Sequence, residues 1–136
     1  MAGYSGTPLH KKLGIGEGHR VAILRAPDSF AETLGELPDG VKIVGAGKSE
    51  VDVAILFTRS RAELEKGLRG AAARLNPKGG LWIAWPKKAS KIATDMNENV
   101  AREVILPTGL VDNKVCAIDE IWSGLRFVLR VENRPR

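Results

Sequence analysis

Residues 79–90 constrain the fold more than any other segment of the chain. They read Gly-Gly-Leu-Trp-Ile-Ala-Trp-Pro-Lys-Lys-Ala-Ser, an almost wholly apolar run of strand length that ends in a proline and two lysines. A strand without polar alternation is typical of a parallel sheet, in which both faces are covered. Ligand crevices of open α/β sheets lie at the carboxyl ends of the strands. The segment therefore predicts a buried strand whose carboxyl end, at Trp85, Lys87 and Lys88, borders a binding crevice.

The rest of the chain alternates strand and helix signals. Apolar runs at 21–24, 41–44 and 51–57 predict further strands, and capping-box spacings at Ser60/Glu63 and Asp95/Glu98 predict two helix starts. Two final strands, over 114–121 and 125–131, are separated by Trp122-Ser123-Gly124, which predicts an antiparallel hairpin. The pattern indicates a mostly parallel sheet with right-handed crossovers.

Length and composition limit the chain to one compact unit. With 136 residues, 43% of them hydrophobic, it can bury one core but is short for two domains. We therefore expect an α/β fold in a single Rossmann-like domain over residues 1–136. Its twisted sheet would have about six strands with helices on both faces, and residues 1–17 would form an N-terminal helical extension.

Several classes of chemistry find little support in the sequence. The single cysteine, Cys116, excludes an intramolecular disulfide, and the histidines His10 and His19 are too far apart to suggest a metal cluster or a catalytic triad. We therefore predict no metal site. No apolar run reaches the length of a signal peptide core or a membrane helix, which predicts a cytoplasmic protein.

Positive charge is concentrated in the middle of the chain. The net charge is +5, yet residues 59–91 carry nine Lys or Arg against two Glu. Because the ends of parallel strands meet at one edge, and helix N-termini favour anions, this predicts an anion-accepting rim. Its predicted ligand-binding residues are Arg59, Ser60, Arg61, Lys87, Lys88 and Ser90, with Arg25, Asp28, Trp85 and Asp95 as additional candidates. The alternative is that these cations only solvate strand ends and pair with nearby carboxylates.

Four motifs resemble one bacterial family. They are Tyr-Ser-Gly-Thr-Pro-Leu at 4–9, Trp-Pro-Lys-Lys at 85–88, Gly-Leu-Val-Asp-Asn-Lys-Val-Cys at 109–116 and Trp-Ser-Gly-Leu-Arg at 122–126. Over nearly its whole length the chain resembles the uncharacterised proteins of domain of unknown function 3052. The resemblance implies no reaction.

The order of elements also resembles the second half of the class I methyltransferase fold, with the first half abbreviated. In that family a glycine-rich loop after the first strand and an acidic residue at the end of the second strand hold S-adenosylmethionine. Here the corresponding stretches read Leu-Arg-Ala-Pro-Asp-Ser at 24–29 and Ile-Val-Gly-Ala-Gly at 43–47. The first has no glycine and the second no carboxylate, so we predict no cofactor.

These features favour a non-catalytic binding or regulatory module that holds an anionic small molecule or an acidic protein partner at the rim. One alternative is a divergent, transferase-like enzyme that still uses S-adenosylmethionine. Another is an interaction module that uses the terminal hairpin and Trp122, including as a homodimer. Nucleic acid is a disfavoured partner because aromatic residues make up only 5% of the chain.

Overall fold

The computed structural model describes residues 7–130, and the first family motif and the end of the last predicted strand lie partly outside that range. The elements run in the order α1 (Leu9–Lys12), β1 (Arg20–Leu24), α2 (Phe30–Leu34), β2 (Lys42–Val44), β3 (Val51–Phe57), α3 (Arg61–Ala73), β4 (Leu75–Pro86), α4 (Glu98–Ile105), β5 (Leu110–Ala117) and β6 (Trp122–Leu129). Short 3-10 helices occupy 88–90 and 106–108.

The six strands form one sheet in the order β2-β1-β3-β4-β6-β5. The first four are mutually parallel, and β6 runs antiparallel to both β4 and β5. The predicted α/β sheet of six strands with a C-terminal hairpin is therefore confirmed. The hairpin boundaries differ, because the connection is 118–121 and Trp122 is the first residue of β6. Asp119 closes that turn by accepting hydrogen bonds from the backbone N–H groups of Ile121 and Trp122, both at 2.8 Å.

Two apolar layers cover the sheet. On one face, residues of α3 and α4 such as Leu64 and Ile105 pack with Leu56 and Phe127 of the strands. On the other face, Leu13 and the α2 residues Phe30 and Leu34 pack with Trp82 and other strand residues. The indole Nε1 of Trp82 donates a 2.8 Å hydrogen bond to the carbonyl oxygen of Leu13, which anchors the segment after α1 to the sheet.

The Gly79-Gly80 pair explains how β4 enters the sheet. A Cβ atom at Gly79 would collide with the backbone carbonyl oxygen of Asp52, and one at Gly80 would collide with the guanidinium of Arg126. The register between β3 and β4 shifts at this point, between Val51 and Val53. Glycine is therefore required at position 79, where the backbone of β3 approaches closely, whereas at Gly80 the flexible end of the Arg126 side chain could shift.

Candidate functional site

The carboxyl ends of β1, β3 and β4 lie at one edge of the sheet. The strand order reverses between β1 and β3, because β2 lies on one side of β1 and β3 on the other. In doubly wound sheets this topological switch point is where ligands bind. Two regions of the edge are distinct in the structure. One is the predicted rim around the N-terminus of α3 and the loop after β4, and the other is a cavity beside β1.

The N-terminus of α3 is capped by the chain itself. The hydroxyl oxygen of Ser60 accepts a 3.1 Å hydrogen bond from the N–H of Glu63, as its capping-box spacing predicts. The Glu63 carboxylate accepts from the N–H of Arg59 at 2.6 Å, and the Asp95 carboxylate from the N–H of Arg61 at 2.8 Å. Three amides at this end of the helix therefore already have an acceptor within the protein.

Asp95 is not the cap of α4 that its spacing to Glu98 suggests. The N-cap of α4 is Asn97, whose side-chain oxygen accepts a 2.9 Å hydrogen bond from the N–H of Val100. Asp95 points instead to the α3 terminus, which brings the loop after β4 onto the loop after β3. The Thr94 hydroxyl reinforces this contact by donating to the carbonyl oxygen of Arg59 at 2.6 Å.

Two other predicted rim residues are engaged in structural contacts. The guanidinium of Arg61 forms an ion pair of 2.9 Å with Glu103 and one of 3.6 Å with Glu65. The hydrogen bond that Arg61 donates to Glu103, together with the charges of Glu65 and Glu103, outweighs desolvation and raises the pKa of Arg61 above its usual value. The Ser90 hydroxyl donates to the carbonyl oxygen of Lys87 at 2.7 Å and accepts from the N–H of Ile92 at 3.2 Å, which organises the loop after β4.

Arg59 lies over an aromatic cluster. Its guanidinium carbon is 5.2 Å from the ring centroid of Trp122, within the range of a cation–π contact. The Trp122 ring meets Phe57 edge to face at 5.1 Å and is only 4% exposed. The structure thus places Trp122, predicted as an interaction residue, in the core under Arg59. Trp85 is similarly enclosed, at 7% exposed, on the α3/α4 face.

The two lysines at the end of β4 remain at the surface. Lys87 is half-buried and Lys88 is exposed, and the N–H of Lys87 donates to the carbonyl oxygen of Ile121 at 2.7 Å. Asp28 is also exposed, whereas Arg25 forms a 3.6 Å ion pair with Glu63. The Glu63 carboxylate therefore contacts both the guanidinium of Arg25 and the backbone N–H of Arg59.

A cavity of about 360 Å³ lies between the carboxyl end of β1, the loop after β2 and α3. Its lining comprises Ile23, Leu24, Arg25, Ala46, Gly47, Leu56, Lys66, Gly67, Gly70, Ala71 and Arg74. We call it the switch-point cavity. Of the residues predicted from sequence as ligand-binding, it contains only Arg25. The sequence signal that was missed is Gly70 within α3, because a glycine inside a helix costs about 1 kcal/mol of helix stability and needs a compensating reason.

Arg74 fixes one wall of the switch-point cavity. This side chain is 5% exposed and donates to the carbonyl oxygens of Ser49 and Gly45, both at 2.8 Å, and to the hydroxyl of Ser49 at 3.0 Å. The loop after β2 is thereby attached to the end of α3. Arg25 has a positive φ of 59°, a conformation that costs a non-glycine residue about 1 kcal/mol or more. Such strain is concentrated at functional sites.

The residues of this edge do not fit S-adenosylmethionine as class I methyltransferases hold it. No Asp or Glu is among the residues that line the switch-point cavity, so the ribose hydroxyls would lack their carboxylate acceptor. The loop after β1 contains Pro27, which has no N–H to offer. The charged side chains of the lining are the cations Arg25, Lys66 and Arg74, which would repel a sulfonium group.

Comparison with solved structures supports the assignment of the fold. The chain is similar to DhpI in the DhpI–SAH complex, with a TM-score of 0.62 and 10% identity over 94% of this chain and 81% of DhpI. It is similar to the N-methyltransferase NodS from Bradyrhizobium japonicum WM9, with a TM-score of 0.53 and 14% identity over 88% of this chain and 90% of NodS. TrmN from Thermus thermophilus gives a TM-score of 0.58 and 15% identity over 90% of this chain. The fold is methyltransferase-like.

The comparisons with solved structures show the fold and no activity. The structural neighbours are class I S-adenosylmethionine-dependent methyltransferases, but their sequence identities are too low to transfer an activity. The chain spans 47% of TrmN, about half of that protein. No protein-family model matches the chain, and no curated protein matches it.

Chemistry elsewhere in the described residues is limited. His19 lies at the amino end of β1, opposite the rim, and its Nδ1 accepts a 2.9 Å hydrogen bond from the N–H of Gly16. Among residues 7–130, no group of three His, Cys, Asp or Glu side chains is arranged to hold a metal ion. Within the same residues, no helix has the length and apolarity needed to span a membrane.

Proposed function

We propose that this chain is a ligand-binding module of the methyltransferase fold, and that its ligand is an anionic, nucleoside-sized small molecule in the switch-point cavity. The observation that carries the proposal is the place and size of this cavity. It lies at the reversal of strand order, and about 360 Å³ falls within the range of about 300–1,000 Å³ that small-molecule sites occupy.

The residues that line the cavity suit both the base and the phosphate of such a ligand. Leu24, Leu56 and Ala71 offer an apolar wall to a base, and the absence of a side chain at Gly70 leaves room against α3. Lys66 on α3 and Arg25 after β1 are both exposed, and both line the cavity. A phosphate between these two cations would gain charge-assisted hydrogen bonds that a neutral nucleoside could not form.

The second candidate function is a divergent S-adenosylmethionine-dependent transferase. The structural neighbours favour this enzyme more directly than they favour a non-catalytic module, since they are methyltransferases and DhpI was solved with SAH. Two features argue against this enzyme: the cavity lining has no carboxylate, and the loop after β1 contains Pro27. The two candidates share the cavity and differ in the charge of the ligand.

Binding calorimetry and thermal shift with four probes separate the candidates. The probes are adenosine, AMP, ADP and S-adenosylmethionine. Ligand binding to the native state raises the melting temperature. We expect AMP and ADP to bind at least about tenfold more tightly than adenosine or S-adenosylmethionine, which corresponds to about 1.4 kcal/mol for the phosphate.

Two variants locate the site. Gly70→Leu adds a side chain at the lining of the switch-point cavity, at a position where a Cβ meets no atom within 4 Å. We expect Gly70→Leu to abolish binding, and Lys66→Glu to weaken ADP binding about tenfold or more. Lys11→Glu, an exposed lysine of α1 on the other face, is the matched control and should have no effect.

The possible results of these binding experiments lead to different conclusions. S-adenosylmethionine binding that Gly70→Leu abolishes would support the transferase in place of the anion module. ADP binding that survives Gly70→Leu but is lost in Lys87→Ala with Lys88→Ala would move the site to the rim. No binding of any probe at millimolar concentration would refute both candidates.

We also propose that the chain belongs to the bacterial family of domain of unknown function 3052 and acts in the cytoplasm. The family assignment is supported by the motifs at 85–88, 109–116 and 122–126. Expression of a fluorescent fusion, followed by fractionation, tests the location.

A further inference from the structure

A second cavity, of about 370 Å³, lies at the amino ends of the parallel strands. Among the residues that line it, His19 directly precedes β1, Asp52 belongs to the start of β3, and Lys78 belongs to the first part of β4. The cavity is therefore at the opposite edge of the sheet from the switch-point cavity. Its volume falls within the range of about 300–1,000 Å³ that is typical of small-molecule sites. We call it the amino-edge cavity.

The lining of the amino-edge cavity is more polar than that of the switch-point cavity. Of the eight described residues that form it, two are glycines and one, Val53, has an apolar side chain. The other five are polar or charged, namely His19, Asp52, Asn76, Lys78 and Arg126. Such a lining offers hydrogen bonds and charge but no broad apolar wall, so it suits a hydrophilic ligand better than a nucleobase or a lipid chain.

Hydrogen bonds within the protein already hold two of these side chains. The Asp52 carboxylate accepts from the N–H of Arg20 at 2.9 Å and from the side-chain amide of Asn76 at 3.2 Å. The Nδ1 atom of His19 accepts from the N–H of Gly16 at 2.9 Å, so the proton of the neutral ring lies on Nε2. A carboxylate can accept about four hydrogen bonds in all. Asp52 and His19 can therefore serve a ligand hydroxyl group as acceptor and donor respectively.

Gly80 determines where the guanidinium of Arg126 lies. A Cβ atom at Gly80 would collide with the Nε, Cζ and Nη2 atoms of Arg126, so the guanidinium lies where another residue of β4 would carry its side chain. The Nη1 atom of Arg126 also donates to the side-chain oxygen of Asn113 on β5, at 3.4 Å. A guanidinium held in this way before binding loses little conformational entropy when a ligand arrives.

The charges of the lining favour an anion. Lys78 and Arg126 carry two positive charges against the single negative charge of Asp52. Lys78 is exposed and takes part in none of the ion pairs found among residues 7–130. A guanidinium can bind two phosphate oxygens at once, and a lysine ammonium group adds a compact charge.

We propose that the amino-edge cavity binds a sugar phosphate. The phosphate would lie against Lys78 and Arg126, and the sugar hydroxyl groups would form hydrogen bonds with Asp52 and His19. The proposal does not rest on the ligand of the switch-point cavity, because that cavity lies at the other edge of the sheet and has a different lining.

Isothermal titration calorimetry with three probes tests the proposal. The probes are glucose 6-phosphate, glucose and inorganic phosphate. We expect glucose 6-phosphate to bind at least about tenfold more tightly than glucose, which lacks the charge, and than inorganic phosphate, which lacks the hydroxyl groups. We also expect the affinity for glucose 6-phosphate to fall as salt is raised, because exposed charges such as that of Lys78 are screened.

Two variants and a matched control locate the site. In Gly80→Ala the methyl group would displace the guanidinium of Arg126, so we expect glucose 6-phosphate to bind about tenfold more weakly. Lys78→Glu changes an exposed residue that folding does not require, and it should weaken binding by at least about the same factor. Lys91→Glu makes the same charge change at an exposed lysine of the carboxyl edge and should leave the affinity unchanged.

Three results would overturn the proposal. The first is equal affinity for glucose 6-phosphate and inorganic phosphate, which would reduce the site to a general anion contact. The second is binding of glucose 6-phosphate that Gly70→Leu abolishes and Lys78→Glu leaves intact, which would place the sugar phosphate in the switch-point cavity. The third is absence of binding at millimolar glucose 6-phosphate by a protein whose circular dichroism shows it to be folded.

Discussion

The carboxylate of Asp95 accepts a hydrogen bond from the backbone N–H of Arg61 at 2.8 Å, across 34 residues of sequence. A loop that follows β4 therefore caps the helix that follows β3. Negative charge at a helix N-terminus is favourable because it satisfies unpaired amides and complements the helix dipole. The same contact occupies one of the backbone N–H groups that could otherwise bind an external anion at the rim.

We predict that Asp95→Ala destabilises the protein by about 1 kcal/mol, the usual cost of losing a helix cap. For a chain of this length that loss lowers the melting temperature by about 2–4 °C. Scanning calorimetry measures this change in melting temperature. Asp28→Ala, another exposed rim carboxylate, is the control and should shift the melting temperature by much less. Equal shifts for the two variants would show that Asp95 contributes only charge.

The capping contacts show what local sequence can and cannot predict. Ser60 and Glu63 are three residues apart, and their spacing correctly predicted the Ser60 cap of α3. The partner of Asp95 is distant in sequence, so no local pattern connects Asp95 with Arg61, and the nearer Glu98 suggested a different role. The strands themselves and the terminal hairpin were predictable for the opposite reason, since apolar runs and turn residues are local signals.

A second prediction concerns Gly79, where a Cβ atom would collide with the backbone carbonyl oxygen of Asp52. Backbone cannot move aside as a flexible side chain can, so Gly79→Ala must separate β3 from β4. We expect a loss of about 2 kcal/mol or more in the free energy of unfolding, measured by urea denaturation.

Gly70→Ala is the matched substitution in α3. A Cβ at Gly70 meets no atom within 4 Å, so alanine should stabilise the helix by about 0.5–1 kcal/mol. We therefore expect Gly79→Ala to lower the free energy of unfolding and Gly70→Ala to raise it. A destabilised Gly70→Ala protein would contradict the open space that the switch-point cavity provides.

A third prediction concerns Arg74, which ties the loop after β2 to α3. Arg74→Met keeps much of the side-chain volume but removes three hydrogen bonds from the guanidinium to Ser49 and Gly45. We expect a loss of about 2 kcal/mol, together with faster amide hydrogen exchange in residues 45–49. Arg69→Met, an exposed arginine of the same helix, should cost less than about 0.5 kcal/mol.

The switch-point cavity was the part of the site that sequence did not predict. Its cations come from two separate parts of the chain, with Arg25 after β1, Lys66 on α3 and Arg74 at the end of that helix. On α3 the apolar positions, such as Leu64 and Leu68, identify the buried face, and every residue off that face looks like solvent-exposed surface. Only the position of α3 beside the carboxyl end of β1 shows that Lys66 borders a cavity.

The last prediction concerns the buried thiol of Cys116 in β5. Burial raises its pKa, and the nearby cations Lys12, Lys114 and Lys87 offset part of that effect. In the unfolded chain a thiol ionises near about 8.5. Above that pH the unfolded state loses its proton first and therefore binds fewer protons than the native state, so stability falls as pH rises. Below that pH the thiol is neutral in both states and contributes no pH dependence.

Cys116→Ala removes this titration without adding a polar group to the core. Urea denaturation of both proteins at pH 7.0 and 9.5 measures the effect. We expect the wild-type protein to exceed Cys116→Ala in stability most at pH 7.0, because the alanine leaves a small cavity, and the difference to shrink at pH 9.5. A difference that stays constant or grows with pH would mean that the folded state does not disfavour the thiolate of Cys116.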